Sequence, residues 1–315
     1  MAKKIVLDVD PGIVDAMVLP MALFDPEVDV LAITSVGGNV PAHQTARNLQ
    51  AIVEFLDPPR LPRLGMGAPP DEASPVDVRH VHGIDGLCGT PLPVAELRSR
   101  HPAEKVICDA VRSAPEQVSI IALGPLTNIA RALQRDPEIE LLTRHIHILG
   151  GTVEGPGNIT AAADFNFYAD PKAARQVIQS RMTKTLVPLD VTNTVMLTLG
   201  DLDLFPDEGT RLGSLLRAML PPAFRAYRQA YGLEGIHIHD LVAYLAALHP
   251  EWILTKVMAC DVETGEGLTR GMTVFDRRPL PQWRKNIDVV VRIHEREILR
   301  QIIKELNEVA EKIGE

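Results

Sequence analysis

The stretch KIVLDVDPGIVDAM, residues 4–17, sets a dense apolar run against three acids, Asp8, Asp10 and Asp15, with Pro11-Gly12 between them. Val, Ile and Leu at this density predict a strand buried on both faces, and residues 13–25 continue as a helix. The unit is therefore strand, turn, helix, with carboxylates gathered where the strand ends. Val14, between Ile13 and Asp15, breaks the run of acids with an apolar side chain.

The same unit recurs along the chain. VDVLAITSVGG (28–38), VSIIALG (118–124), RHIHILGG (144–151) and KTLVPLD (184–190) read as further buried strands, alternating with helical patterns over 41–56, 103–114, 127–135 and 171–180. Such alternation predicts βαβ units and an open, mostly parallel, Rossmann-like α/β sheet with helices on both faces. The last third extends it. Residues 198–220 and 223–248 read as helices, 255–278 as two strands about a turn, NIDVVVRIH as another strand, and 295–313 as an amphipathic closing helix. Residues 68–84 are the least regular segment and a candidate flap, and the whole of 1–315 reads as one domain.

Composition narrows the function. Of the 315 residues 46% are hydrophobic and 23% charged, enough to bury a large core, and the net charge of −9 argues against a nucleic-acid partner. The N-terminus MAKKIVLDVD has acids where a signal peptide would need apolar residues, and no apolar run approaches a membrane span. Cys88, Cys108 and Cys260 are scattered, odd in number and without a CxxC pair, which points to free thiols and a cytoplasmic location.

Ligands of open parallel sheets bind beyond the carboxyl ends of the strands. Standing there are Asp8 and Asp10, then Gly37-Gly38-Asn39, then Leu123 to Asn128, then Gly150-Gly151 and Asp190. Several carboxylates gathered together require a cation or raised pKa values, and Asp10 and Asp15 with a third acid offer the hard oxygens that Ca²⁺ or Mg²⁺ prefers. GNITAAADFNFYADP (157–171) adds Asn158, Asp164 and Asn166, side chains suited to a hydroxyl-rich ligand, and EGIHIHD places His237, His239 and Asp240 at the head of an apolar helix.

In this order the motifs resemble those of the inosine-uridine-preferring nucleoside hydrolases. The family's D-x-D-P-G-x-D-D reads Asp8 to Asp15 here, G-N reads Gly38-Asn39, H-G-x-x-G reads His82 to Gly86, and G-x-L-T-N-[IL]-A reads Gly124 to Ala130. GNITAAADFNFYADP, the pair His239-Asp240 and GLTRGMTVFDRR (267–278) complete the likeness over nearly the whole chain. The resemblance implies calcium-dependent hydrolysis of the N-glycosidic bond of ribonucleosides to free base and ribose, by a homodimer or homotetramer. It implies Ca²⁺ held by Asp10, Asp15, Asp240 and the carbonyl of Leu123, and ribose held by Asn39, Asn158, Asp164 and Asn166. His82 would line the base pocket, Asp10 would activate a metal-bound water, and His239 would assist the departing base.

Two positions depart from the family pattern. Asp164 stands where Glu is usual, and Val14 stands where an acid contacts the ribose 2′-hydroxyl. Tyr227 and Tyr231, one turn apart ahead of His239, together with His82 look like the pyrimidine-preferring branch. Two rival readings accompany this one. With Val14 the chain could be a degenerate member that binds a ribosyl ligand and turns it over poorly. The opening D-x-D could also begin a haloacid-dehalogenase-type phosphatase, although Gly12 is not the residue usual there and no late acidic pair at a strand end completes that pattern.

Overall fold

A computed structural model describes residues 2–69, 77–95 and 101–314. Of the candidate flap at 68–84, residues 70–76 therefore lie outside the described residues. The strands in chain order are β1 (Lys3–Val9), β2 (Val28–Ser35), β3 (Arg63–Met66), β4 (Val118–Ala122), β5 (His145–Leu149) and β6 (Lys184–Val187). Then come β7 (Met196–Thr198), β8 (Gly235–His237), β9 (Ile253–Met258), β10 (Cys260–Val262), β11 (Thr273–Phe275) and β12 (Ile287–Ile293). The helices are α1 (Asp15–Phe24), α2 (Ala42–Leu56), α3 (Arg79–His82), α4 (Ala103–Ser113), α5 (Thr127–Arg135) and α6 (Ile139–Leu142). They continue with α7 (Phe165–Ala169), α8 (Pro171–Gln179), α9 (Leu189–Thr192), α10 (Arg211–Tyr231), α11 (His239–Leu248) and α12 (Glu295–Gly314).

Eight strands form one sheet in the order β3-β2-β1-β4-β5-β6-β12-β9. Every pairing is parallel except β12 with β9 at the edge. Side chains alternate along each strand. Ile5, Leu7 and Val9 join one core with α1, α2, α10, α11 and α12, while Val6 joins the other with α4, α5 and α8. The apolar strand runs seen in the sequence thus serve two cores at once. From Asp15 to Leu23 every residue of α1 is buried, so its acid at the first turn lies inside the protein.

The C-terminal third differs from its sequence reading. Residues 198–220 are not one helix: a 3₁₀ turn spans Leu199–Leu204, and α10 starts only at Arg211, where the Thr210 hydroxyl accepts from the Gly213 N–H at 3.0 Å. From there α10 runs through Pro221 and Pro222, the two residues left between the predicted helices 198–220 and 223–248. Residues 223–248 are not one helix either. Gly232, in the left-handed region at φ 68°, ends α10, and the chain then forms β8 antiparallel to β7. A side chain at Gly235 would put its Cβ 2.7 Å from the Leu197 carbonyl oxygen, so only glycine allows this pairing. Strand β3 had no counterpart in the sequence reading because four residues are too few to show a period. Among the described residues no helix is long and apolar enough to cross a membrane.

Candidate active site

Strand order reverses between β1 and β4, because β2 follows β1 on one side while β4 lies on the other. A crevice opens beyond the carboxyl ends at such a point. Asp10 stands just past β1 and Leu123 just past β4. Asp10 is 2% exposed; its Oδ2 accepts from the Asn39 backbone N–H at 2.9 Å, and the Asn39 side-chain amide donates to the Asp10 carbonyl at 3.0 Å. The glycines beside it are needed for space. A Cβ at Gly38 would fall 2.1 Å from Asp10 Oδ2, and one at Gly124 would fall 2.9 Å from Oδ1.

Asp15 accepts from the Gly12 N–H at 3.0 Å through Oδ2, while its buried Oδ1 has no partner. Asp240, in the first turn of α11, completes the group: one oxygen from each of Asp10, Asp15 and Asp240 lies within 4.8 Å of the others. Burial, then the charges of Asp15 and Asp240, push the Asp10 carboxyl well above its ordinary range. Burial raises Asp15 to about 6, and burial followed by the Asp15 charge raises Asp240. Three carboxylates drawn together out of water, one with an orphaned oxygen, form a donor set that fits a hard divalent cation.

The fourth expected ligand, the Leu123 carbonyl, accepts from the Asn166 amide at 2.8 Å, and the same amide nitrogen donates to the Leu149 carbonyl at 3.2 Å. Only the Asn166 Oδ1 is left to meet a ligand. Asn158 is the converse: its Oδ1 accepts from the Phe165 N–H at 2.8 Å, which leaves its amide hydrogens. Asp164 caps α7 by accepting from the Phe167 N–H at 3.1 Å, and burial raises it to about 6. Gly150, at φ 138°, lets this carboxylate approach, since a Cβ there would lie 2.6 Å from Asp164 Oδ1.

The same cavity also carries rings. His82 from α3, Tyr227 and Tyr231 from α10, His237 from β8 and His239 from α11 share one cavity of about 720 Å³ with Asp10, Asn39, Leu123, Asn158, Asp164, Asn166 and Asp240. Every residue expected at the site lines this cavity except Asp15, which lies behind it in the acid cluster. Tyr227 meets Tyr231 edge to face at 5.5 Å. His239 Nδ1 sits 2.7 Å from the Thr192 hydroxyl, and its ring stacks on His237 at 5.2 Å. Burial, and secondarily His237, holds His239 down to about 3, so it is neutral. Burial likewise lowers His82 to about 4.

Two rim acids have other tasks. Asp8 is sealed under the site, its Oδ1 accepting from the Thr34 hydroxyl at 2.5 Å and the Asn128 amide at 2.8 Å. The nucleophile that a dehalogenase-type phosphatase would need is therefore not offered to the cavity. Asp190 accepts from the N–H groups of Val153, Glu154 and Gly155 and fixes that loop. Sequence reasoning gave no place to Asn193, Leu233 or Thr192, and named His237 without giving it a role. The alternation of the sequence IHIH, residues 236–239, could have paired His237 with His239, but nothing local marks Thr192.

The family model described as inosine-uridine preferring nucleoside hydrolase matches residues 5–300. The non-specific ribonucleoside hydrolase RihC of Shigella boydii is 38% identical over 277 residues, covering 88% of this chain and 89% of that protein. A purine-preferring ribonucleoside hydrolase from Gardnerella vaginalis superposes with a TM-score of 0.90 at 29% identity, over 98% of this chain and 100% of that one. A plant nucleoside hydrolase, PpNRh1, gives 0.87 at 30% identity over 98% and 99%.

Proposed function

The chain belongs to the inosine-uridine preferring nucleoside hydrolases and is a hydrolase of the ribonucleoside N-glycosidic bond, and from that premise we propose the roles of its residues. The observation that carries them is that one cavity is lined both by acids and amides, Asp10, Asn39, Asn158, Asp164, Asn166 and Asp240, and by rings, His82, Tyr227, Tyr231 and His239. The acids and amides suit a sugar and a cation, the rings a flat base. Asp10, Asp15, Asp240 and the Leu123 carbonyl would hold Ca²⁺, which supplies positive charge to orient the sugar hydroxyls and to ease deprotonation of water.

The remaining work falls to side chains. Asn39, Asn158, Asp164 and Asn166 fix the pentose, with Asn158 donating and Asp164 and Asn166 accepting. Asp10, held by Asn39 from one side, takes a proton from the water that attacks the anomeric carbon. His239 Nδ1 lies 2.7 Å from the Thr192 hydroxyl; in the tautomer whose Nδ1 accepts this hydrogen bond, the Nε2–H would face the departing base as a hydrogen-bond donor. The proton lost by water balances the one gained by the base, and the products are ribose and neutral base. His82, Tyr227 and Tyr231 enclose the base, and their joint place on the cavity wall supports a preference for pyrimidines.

We take residues 1–315 as one domain, because β12 and β9 from the C-terminal part complete the sheet begun by β1. Free Cys88, Cys108 and Cys260 support a cytoplasmic setting, and the exposed apolar Leu254, Val257 and Val291 on β9 and β12 support a homodimer or homotetramer. The test is release of free ribose from a panel of nucleosides, with and without chelator. Wild type releases ribose, chelator suppresses it, and Asp10→Ala lowers kcat to background. Phosphate release from nucleotides without free base would overturn the reading, and so would ligand binding with no ribose release.

A further inference from the structure

Away from the crevice, one pair of side chains is arranged as a ligand set and has no part in the chemistry above. His145 and His147 lie two residues apart on β5, so both rings project from the same face of the sheet. Their centroids are 4.4 Å apart, with the ring planes tilted by 35°. In the register of the sheet His147 sits between Ile121 of β4 and Thr185 of β6, and the row continues through Asp288 of β12 to Val257 of β9. Ile121 is 1% exposed and Val257 48%, so the core thins along this row, and the two half-buried imidazoles stand where it does. His145 is the first residue of its strand, at the end of the sheet opposite the crevice.

The hydrogen bonding leaves nitrogens of this pair open. His145 Nε2 lies 2.8 Å from the Thr185 hydroxyl. Among the described residues no hydrogen bond reaches His145 Nδ1 or either nitrogen of His147, and His147 Nδ1 is buried without a partner. In the tautomer whose Nε2–H donates to Thr185, the Nδ1 of His145 carries the lone pair. A histidine held through one ring nitrogen by an oxygen and bare at the other has the arrangement of a metal ligand. Burial, and secondarily His145, lowers His147 to about 3; burial also lowers His145, against the charge of Asp288. Both rings are therefore neutral at pH 7, and an ion arriving there has no proton to displace. Half-burial of polar nitrogens without partners is costly, and an ion shared by the two rings compensates that cost.

We infer that His145 and His147 together bind one borderline divalent transition-metal ion, of the class of Zn²⁺, Ni²⁺ and Cu²⁺, at a site separate from the acid cluster. Neutral imidazoles suit these ions, whereas Ca²⁺ takes oxygen ligands, so the two sites select different metals. Among the described residues only Asp10, Asp15 and Asp240 bring three such ligand atoms to one point. The imidazole pair is thus a two-ligand, exchangeable site whose other positions belong to solvent. Two ligands fixed on one strand act as a chelate, and the pair exceeds a single imidazole in affinity by roughly 10²-fold or more. The inference stands apart from the nucleoside reading and does not depend on it.

The experiment titrates the full chain, in excess CaCl₂, with ZnCl₂ by calorimetry and with CuCl₂ by electron paramagnetic resonance. It uses wild type, His145→Gln, His147→Gln and, because His237 and His239 also stack in the cavity, His237→Gln. Wild type should bind both ions, Cu²⁺ more tightly than Zn²⁺, with nitrogen splitting from two imidazoles in the copper spectrum. His145→Gln and His147→Gln should each weaken binding by about 10²-fold and leave the splitting of one imidazole, while His237→Gln retains the wild-type affinity and spectrum. Affinities unchanged in His145→Gln and His147→Gln would overturn the inference, as would a loss confined to His237→Gln or a copper spectrum without nitrogen. Should either glutamine variant fail to fold, the ring C–H resonances of wild type decide. Substoichiometric Cu²⁺ should broaden those of His145 and His147 before any other histidine, and broadening that starts elsewhere, or none, would overturn the site.

Discussion

Asp10 reaches the crevice because residues 38 and 124 have no side chains. With a Cβ 2.1 Å from Asp10 Oδ2, Gly38→Ala must push the carboxylate aside. Misplacement of a reacting group by an ångström can reduce rate by about 10²-fold, so kcat of Gly38→Ala should fall by that order with the circular dichroism spectrum unchanged. Retained activity would mean that Asp10 is not the base. By the proposed roles Thr192 would act at one remove, through the 2.7 Å contact to His239 Nδ1. Removing such a support reduces activity by roughly 10- to 100-fold, and Thr192→Val should show this loss in kcat with natural nucleosides while KM stays near its wild-type value. An aryl riboside whose leaving group needs no proton should be cleaved nearly as fast by Thr192→Val as by wild type. Equal losses on both substrates would give Thr192 a merely structural role.

Among the elements, α12 closes the sheet-facing core with Ile298, Ile302 and Leu306, but it also carries Glu305 into that interface. Glu305 Oε1 accepts from the Gln301 amide at 2.6 Å, its Oε2 is buried without a partner, and burial raises the carboxyl to about 7. A carboxyl raised on folding contributes stability that is complete below its unfolded pKa near 4.5 and is lost as pH rises through about 7. Glu305→Gln should therefore match wild type in urea unfolding at pH 4 and exceed it at pH 8 by about 1–3 kcal/mol. A smaller gain at pH 8 than at pH 4 would refute the burial argument. Such a group is invisible to sequence reasoning, since a lone Glu on an amphipathic helix reads as its solvated face. The C-terminal third was hard to read for a related reason. Pro221-Pro222 read as a break inside a helix that in fact continues, while Gly232 ends α10 and the pairing of β8 with β7 separates it from α11. Strands β1, β2, β4, β5 and β6 were legible because each carries a stretch rich in Val, Ile or Leu, even where polar residues interrupt it as the histidines do in β5.

At the scale of the molecule, the acid cluster ties β1 to α1 and α11, although Asp240 lies some 230 residues along the chain from Asp10. Asp10, Asn39 and Leu123 could be placed beforehand because each follows a strand end, and a parallel sheet sends all such ends to one rim. Asp15 could be grouped with Asp10 by its closeness in sequence, whereas the assignment of Asp240 as the third acid came with the family likeness, since alone it reads as an acid at a helix start. Without a cation these three carboxylates oppose folding at neutral pH, because burial raises Asp15 to about 6, and burial with the neighbouring charges raises Asp10 and Asp240 well above the ordinary carboxylate range. A cation bound only by the folded chain stabilises it by about 2.7 kcal/mol at a hundred times its Kd. Protons compete for the same oxygens, so the gain shrinks as the carboxyls become protonated. Thermal melts in excess CaCl₂ and in chelator should then differ by several degrees at pH 8 and by clearly less at pH 5.5. Asp240→Asn should melt higher than wild type in chelator at pH 8, because one opposed charge is gone, and should lose most of the calcium increment. If calcium leaves the melting temperature of wild type unchanged at pH 8, or raises it more in acid, the cluster is a polar core and not a cation site.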